Sequence, residues 1–208
     1  MPNIEHSSLT AAELHEPKGV ATASAGDVYV ADGAGSGSWA TPQLNGFEDY
    51  NHNGASQALT SGVFTKLTND GAGVFTNTNY GLANATEPAW NTSTGQFNFD
   101  GAGLVVGDLY SLRFDLSPTT AAANTQLRLR LTLDVGGLNV PLDISTITYK
   151  TAGTYRWVTT SSFYVGSTAT LTGPAEVSLS TDTSGNSVLV NGWTIFLEPK
   201  YPLFVTGA

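Results

Sequence analysis

Residues 126–135 alternate strictly between apolar and polar side chains, and this pattern limits the possible folds more than any other feature. Leucine stands at every second position, and the residues between are Arg128, Arg130, Thr132 and Asp134. Successive side chains of an extended strand point to opposite faces. The pattern therefore predicts a strand with one buried and one solvent-exposed face. Residues 109–116 alternate in the same way, and no long segment shows a helical period.

Other strand-length apolar runs are separated by short turn segments rich in Gly, Asn, Ser and Thr. They cover residues 57–67, 71–76, 96–99, 140–149, 154–165, 175–180 and 187–197. Roughly eight or nine strands without intervening helices predict an all-β fold, an antiparallel β-sandwich or barrel. Within that class we expect a jelly roll, because its two sheets use about eight strands. No repeat of fixed period indicates a propeller or solenoid.

Residues 6–39 are too rich in Gly, Ala and Ser to build a core of their own. We therefore predict an extended arm over residues 1–42 and a β domain over residues 43–208. Thr10-Ala-Ala-Glu13 fits a capping box, which predicts a short helix over residues 11–15 that ends before Pro17. Residues 27–31 and 38–41 flank the turn Asp32-Gly33 and predict a small hairpin. Because an isolated hairpin is marginally stable, we expect it to pack on another surface; a flexible tail is the alternative.

Charge and cysteine content limit the classes of partner and the compartment that we expect. The net charge is −9, from eight Lys and Arg against seventeen Asp and Glu. Nucleic-acid binding requires clustered cations, so neither nucleic acid nor an anionic membrane is an expected partner. No apolar run approaches the ~20 residues of a membrane span. The chain has no cysteine, which excludes disulfides and thiolate sites, and MPNIEHSS lacks a secretion signal, so we expect folding in a reducing cytoplasm.

The residues that could carry catalysis do not form a known constellation. Gly33-Ala-Gly-Ser-Gly37 lacks the Lys and Ser/Thr of a phosphate loop, and no Gly-x-Ser-x-Gly elbow presents a serine. Thr68-Asn-Asp-Gly71 lacks the ligand spacing of a calcium loop. Several acidic residues lie near predicted turns, where we expect solvated caps: Glu48, Asp49, Asp100, Asp108 and Asp182. We therefore predict no enzyme activity, no cofactor and no metal site.

Motifs in both parts of the chain resemble known families. The β domain carries Trp90…Gly95-Gln-Phe97, Gly107-Asp-Leu-Tyr110 and Asn191-Gly-Trp-Thr-Ile-Phe196. With these motifs it resembles the tumour-necrosis-factor-like jelly roll, a trimeric fold shared with complement-type globular heads and used by many phages. The arm carries Leu14-His-Glu-Pro-Lys-Gly19 and Val28-Tyr-Val-Ala-Asp-Gly-Ala-Gly-Ser-Gly-Ser-Trp39. It resembles the N-terminal segments of phage head-fibre and tail-fibre proteins.

These resemblances imply a bacteriophage virion structural protein that forms a homotrimer. The arm would bind the major capsid protein or another virion protein, and the jelly rolls would project as a knob. We favour a head fibre or capsid decoration protein on the capsid surface, because a short arm gives little reach. The alternative is a receptor-binding tail-fibre tip that recognises host surface polysaccharide. A third class is a glycan-cleaving spike.

The expected site residues follow from the same resemblance. The capsid-anchoring set is Leu9, Leu14, His15, Val28, Tyr29, Val30 and Trp39. For aromatic residues in strands we first expect burial in the core of the sandwich. In the resembled fold, rings that face outward line the threefold axis of the trimer. For that trimer interface we expect members of the set Tyr110, Tyr155, Trp157 and Trp193. A trimer would also bring together three copies of one histidine (His6, His15 or His52), where an ion would fit; exposure or polar contact is the alternative.

Overall fold

The computed structural model describes residues 23–31, 34, 37–43, 45–199 and 203–206. The helix predicted over residues 11–15 lies outside them. In chain order the described strands are β1 Val28–Ala31, β2 Gly37–Gln43, β3 Gly46–Asn51, β4 Gln57–Ala58, β5 Thr65–Lys66, β6 Asn77–Tyr80, β7 Trp90–Asn91, β8 Gln96–Phe97, β9 Leu109–Thr120, β10 Thr125–Leu133, β11 Val140–Tyr149, β12 Gly153–Thr154, β13 Trp157–Tyr164, β14 Glu176–Thr181, β15 Ser187–Glu198 and β16 Leu203–Thr206. One short helix, α1 Thr168–Thr172, begins at a capping box formed by Ser167 and Thr170. In the described part of the chain no helix is long and apolar enough to cross a membrane.

Contacts divide the chain into two units, one formed by Met1–Gln43 with Pro202–Ala208 and one by Leu44–Tyr201. The larger unit contains two main antiparallel sheets. The strands of the first lie in the order β13-β9-β15-β3-β6, and the short strands β12 and β4 pair with β9 and β15 at its margins. The second has the order β11-β10-β14-β5.

The connectivity of the larger unit is that of a jelly roll. The chain passes from β3 in the first sheet to β5 in the second, returns to the first at β6 and, after the short β7-β8 sheet, continues in the first at β9. It then crosses to β10 and β11, back to β13, over to β14 and back to β15. Two antiparallel sheets whose strands interleave in this order form the double-sheet jelly roll. The predicted antiparallel β-sandwich of jelly-roll type is therefore confirmed.

The predicted alternation of β10 is visible in its burial. Leu127, Leu129 and Leu131 are fully buried, whereas Arg128 is exposed and Arg130 is half-buried. The opposite sheet contributes Leu112 and Phe114, which are also fully buried. These side chains fill the space between the sheets, where burial of apolar surface supplies the main stabilising free energy.

A long segment before β9 packs aromatic rings against the end of this core. The Trp90 ring lies edge-on to Trp193, with centroids 4.5 Å apart, and 4.8 Å from the ring of Phe97. Trp90 also donates its indole N–H to the Asn69 carbonyl at 2.9 Å. The segment is thereby fixed to both β15 and the loop after β5, although β7 and β8 have only two residues each.

Two buried tyrosines differ in their hydrogen bonds and give a paired prediction. The Tyr50 hydroxyl donates to Glu48 Oε2 at 2.5 Å and accepts from the Trp90 N–H at 3.0 Å. The Tyr149 hydroxyl is buried without a partner among the described residues. Tyr50→Phe is expected to lower the free energy of unfolding by about 1–3 kcal/mol, because it leaves a buried N–H without its acceptor. Tyr149→Phe is expected to change it by less than about 0.5 kcal/mol or to stabilise the protein. Urea denaturation of the two variants tests this order, and an equal loss in both would contradict it.

The smaller unit contains the predicted hairpin and one strand that was not predicted. β1 pairs antiparallel with β2, and Tyr29 lies opposite Trp39 in the register. The second edge of β2 pairs with β16, so that Thr206 lies opposite Ala40. Pro202–Ala208 thus belongs with the N-terminal unit, whereas the sequence division placed it with the β domain. Strand pairing between chain ends more than 150 residues apart leaves no local signal in the sequence.

Candidate functional site

The anchoring residues that the structure describes lie on the hairpin of the smaller unit. The rings of Tyr29 and Trp39 contact each other edge-on, with centroids 5.5 Å apart. Their side chains share one face of the sheet because they are direct cross-strand partners, whereas Val28 and Val30 point to the other face. Tyr29 is 38% exposed and Val28 40% exposed. This small sheet therefore presents apolar side chains on both faces, and their role in anchoring stays a prediction.

The remaining anchoring residues are Leu9, Leu14 and His15, which lie outside the described residues. Their part in anchoring stays a prediction. His6 also lies outside the described residues. His52 is described and lies in the larger unit, where its Nδ1 accepts the Asp70 N–H at 3.0 Å.

The rings expected at a trimer interface belong, with one exception, to the core of a single chain. Tyr110 is 1% exposed, Trp193 2% and Trp157 6%. Each stands at an inward position in the alternation of its strand, so its ring packs between the sheets rather than on an outer surface. Tyr155 is half-buried and stacks on Tyr149 at 4.1 Å. Of the four residues, Tyr155 alone has enough exposed surface to contact a second chain.

Another set of rings covers the solvent side of the first sheet, and we call it the aromatic face. It consists of Phe47 on β3, Tyr80 on β6 and Phe196 on β15, which are direct cross-strand neighbours. Phe47 stacks on Tyr80 at 4.9 Å and lies 6.4 Å from Phe196. Tyr80 is 56% and Phe196 40% exposed. Contiguous exposed apolar surface of this kind marks interaction sites in soluble proteins.

Sequence reasoning missed most of the aromatic face. Phe47 lies in a segment where no strand was predicted, and Tyr80 lies in a polar stretch between predicted strands. The alternation of β15 does carry a signal. Ile195 and Leu197 are fully buried, so the side chain of Phe196 between them must point outward.

A loop between β5 and β6 projects two apolar side chains into solvent. Val74 is 92% and Phe75 80% exposed. The loop is nevertheless held in place, because the Gly73 N–H donates to the Asn51 carbonyl at 2.8 Å and Thr76 Oγ1 accepts the Asn51 N–H at 2.9 Å. Ordered backbone that exposes apolar side chains is a feature of contact surfaces rather than of cores.

The polar residues at the start of this loop are caps. Asp70 Oδ1 accepts N–H groups from Asn53 and Ala72, and Asn69 Oδ1 accepts the N–H of Gly71. The hydrogen bond from the Asn53 N–H is the main cause that lowers the pKa of Asp70. These side-chain oxygens accept backbone N–H groups in the turns instead of serving as calcium ligands. Within the described residues no group of three or more His, Cys, Asp or Glu side chains could hold a metal ion.

The other acidic candidates differ in their burial and in the hydrogen bonds that they accept. Asp108 Oδ2 accepts the Val105 N–H, Asp182 Oδ1 accepts the Gln126 N–H, and Asp100 is exposed. Asp49 accepts the hydroxyl proton of Thr194. Two of these residues, Glu48 and Asp108, were expected to be solvated caps but are buried, with 2% and 0% exposure. The prediction of a solvated cap is wrong for both.

Glu48 lies on the inward side of β3, beneath residues 81–89. Its Oε2 accepts the Tyr50 hydroxyl at 2.5 Å and the Ala89 N–H at 2.7 Å. Burial raises the pKa of Glu48 above its usual range, and the two hydrogen bonds offset part of that rise. The carboxyl also borders a cavity of about 370 Å³. Partners 41 residues apart in sequence could not be predicted from the local pattern.

The raised pKa of Glu48 gives a prediction for the pH dependence of stability. The folded protein holds the proton on Glu48 at pH values where the unfolded chain, with a pKa of about 4.3, has released it. The free energy of unfolding should therefore fall as the pH rises from that value through the pKa of the folded state. Glu48→Gln is expected to remove this fall, and Glu198→Gln, on an exposed carboxyl, to leave it unchanged. Urea denaturation between about pH 4 and 8 measures both profiles; a wild-type profile that Glu48→Gln does not alter would refute the assignment.

Comparisons with known proteins give similarity of fold only. No protein-family model and no curated protein matches the chain. Among solved structures, the Eiger TNF of S. frugiperda has 8% sequence identity and a TM-score of 0.43, over 80% of this chain and 99% of that one. Vertex protein P5 of PRD1 has 13% identity and a TM-score of 0.37, over 77% of this chain and 99% of that one.

A structure of the Gx strain of infectious bursal disease virus has 12% identity and a TM-score of 0.32, over 83% of this chain and 38% of the viral chain. At such identities and scores none of the three carries an argument about function. The assignment of this chain to the jelly-roll class rests on its own strand connectivity.

Proposed function

We propose that this chain is a bacteriophage virion structural protein, a trimeric head-fibre or capsid decoration protein anchored by its N-terminal arm. The single observation that carries the proposal is the division into two units of different character. A small sheet presents Tyr29, Trp39 and Val28 at its surface, and a complete jelly roll has its own core. A separate small unit with apolar side chains on both faces is suited to bind the capsid. The larger unit is suited to project from the capsid as a knob.

Self-association of the jelly rolls is supported by the aromatic face. Its three rings are contiguous and partly exposed on one chain, and burial against a second chain would remove them from water. Closed cyclic symmetry would then join three weakly binding arms into one firm attachment through effective concentration. The phage origin itself rests on the resemblance of the arm to fibre segments.

Two measurements test the proposal. Multi-angle light scattering of the full chain should give three times the mass of one chain. The purified protein should also bind phage particles that lack it, and should not bind the unassembled capsid subunit. A monomeric mass, or failure to bind such particles, would count against the proposal.

The loop that carries Val74 and Phe75 favours a second candidate, a receptor-binding tip on a tail fibre. Exposed apolar side chains on an ordered loop are suited to contact a host surface polysaccharide. In that case the soluble protein would bind host cells and compete with phage adsorption, and Phe75→Ser would abolish both effects. A protein that does neither excludes this candidate.

A further inference from the structure

The cavity beside Glu48 has a chemical character that none of the functions above requires. It lies between β3, β6 and residues 81–88. Its lining consists of Glu48, Glu87, Thr78, Asn79 and Thr86, together with Gly81, Leu82, Ala83, Ala85 and Pro88. Two carboxyl groups, an amide and two hydroxyls thus face one space, and no basic side chain lines it among the described residues.

Glu48 has one oxygen available to this cavity. Both of its donors bond to Oε2, and Oε1 receives no hydrogen bond from the described residues. Oε1 lies next to Gly81, where an added Cβ would come within 2.6 Å of it. The Glu48 side chain is 2% exposed, and Oε1 is the carboxyl oxygen that borders the cavity without a hydrogen bond from the described residues. A donor group of a ligand in the cavity could therefore bond to this oxygen.

The charge of the lining and the volume of the cavity restrict the class of ligand that fits. An anion is excluded because both ionisable groups in the lining are acidic. A calcium ion needs about six to eight oxygen ligands, and the described residues offer no group of three acidic or histidine side chains. A volume of about 370 Å³ holds roughly a dozen water molecules. It therefore has room for a small organic group.

We propose that this cavity binds a primary ammonium group, with Glu48 Oε1 as its main hydrogen-bond acceptor. Glu87, whose Oε2 already accepts from Asn98 Nδ2 at 2.9 Å, adds negative charge to the same lining. The oxygens of Thr78, Asn79 and Thr86 supply further acceptors for the three protons of the ammonium group. A free diamine and a lysine side chain of another protein share this chemistry.

Isothermal titration calorimetry on the full chain tests the proposal with two amines, 1,4-diaminobutane and Nα-acetyl-lysine amide. Nα-acetyl-norleucine amide has a similar aliphatic chain without the ammonium group and serves as the ligand control. At least one amine should bind saturably and the norleucine compound should not. Preference for the lysine compound would indicate a partner protein as the source, and preference for the diamine would indicate a free polyamine.

Three variants locate the binding. Glu48→Gln should weaken the amine about tenfold or more, because it removes a charge-assisted hydrogen bond. Ala85→Leu should abolish binding by filling the cavity while it leaves the carboxyl in place; it decides the question if Glu48→Gln does not fold. Glu198→Gln, on an exposed carboxyl outside the cavity lining, should bind as the wild type does. The proposal is overturned if neither amine binds, if the cavity variants bind equally well, or if calcium chloride or methyl α-glucoside binds in place of the amines.

Discussion

A protein shortened to residues 44–201 is expected to fold and to lose its binding to the phage particle. The larger unit retains both sheets and the core formed by the alternating leucines of β10, so its cooperative unfolding should persist. Both chain ends have to be removed, because β16 pairs with β2 and would otherwise lose its partner. Circular dichroism and a binding assay with particles that lack the protein measure the two expectations.

Point variants in the full chain sharpen this test. Replacing Tyr29 and Trp39 together by alanine removes the aromatic contact of the hairpin and should weaken particle binding by about a hundredfold, as expected for two aromatic anchors. Val63→Ala, at a 51% exposed valine of the larger unit, is the control and should bind normally. Undiminished binding by the 44–201 fragment would show that the arm is not the anchor.

Phe196→Asp is expected to convert the proposed trimer into monomers. Phe196 lies in the aromatic face between buried neighbours, so aspartate would fit the strand but place a charge in the proposed interface. An unpaired charge buried there costs several kcal/mol, about 3–5 per site, and a trimer contains three such sites. Light scattering of the variant should therefore give the mass of one chain.

Leu138→Asp is the matched control for this experiment. Leu138 is 68% exposed and lies in the loop between β10 and β11, away from the aromatic face. It receives the same new charge and should leave the trimer intact. A Phe196→Asp protein that stays trimeric would show that the rings of Phe47, Tyr80 and Phe196 do not form the interface.

Sequence reasoning succeeded where the signal was local and periodic. The leucines of residues 126–135 fall on the core side of β10, and Tyr29 pairs with Trp39 across the predicted turn. The alternation of side-chain direction along a strand is also a local signal. Tyr110 alternates in phase with the buried residues Leu112 and Phe114, so its inward position was readable from the sequence.

What the sequence could not predict depends on contacts between distant segments. The burial of Glu48 arises because residues 81–89 cover β3 and donate the Ala89 N–H to its carboxyl. The third strand of the small sheet comes from the opposite end of the chain. The aromatic face depends on the pairing of three strands that are not consecutive in sequence, β6, β3 and β15.

Electron cryomicroscopy of the intact particle is the most direct test of capsid attachment. We predict density with threefold symmetry on capsid symmetry axes, into which three jelly rolls fit as a knob. The small sheet of residues 28–43 and 203–206 should lie at the capsid surface. Density for this protein on tail structures alone would contradict the account.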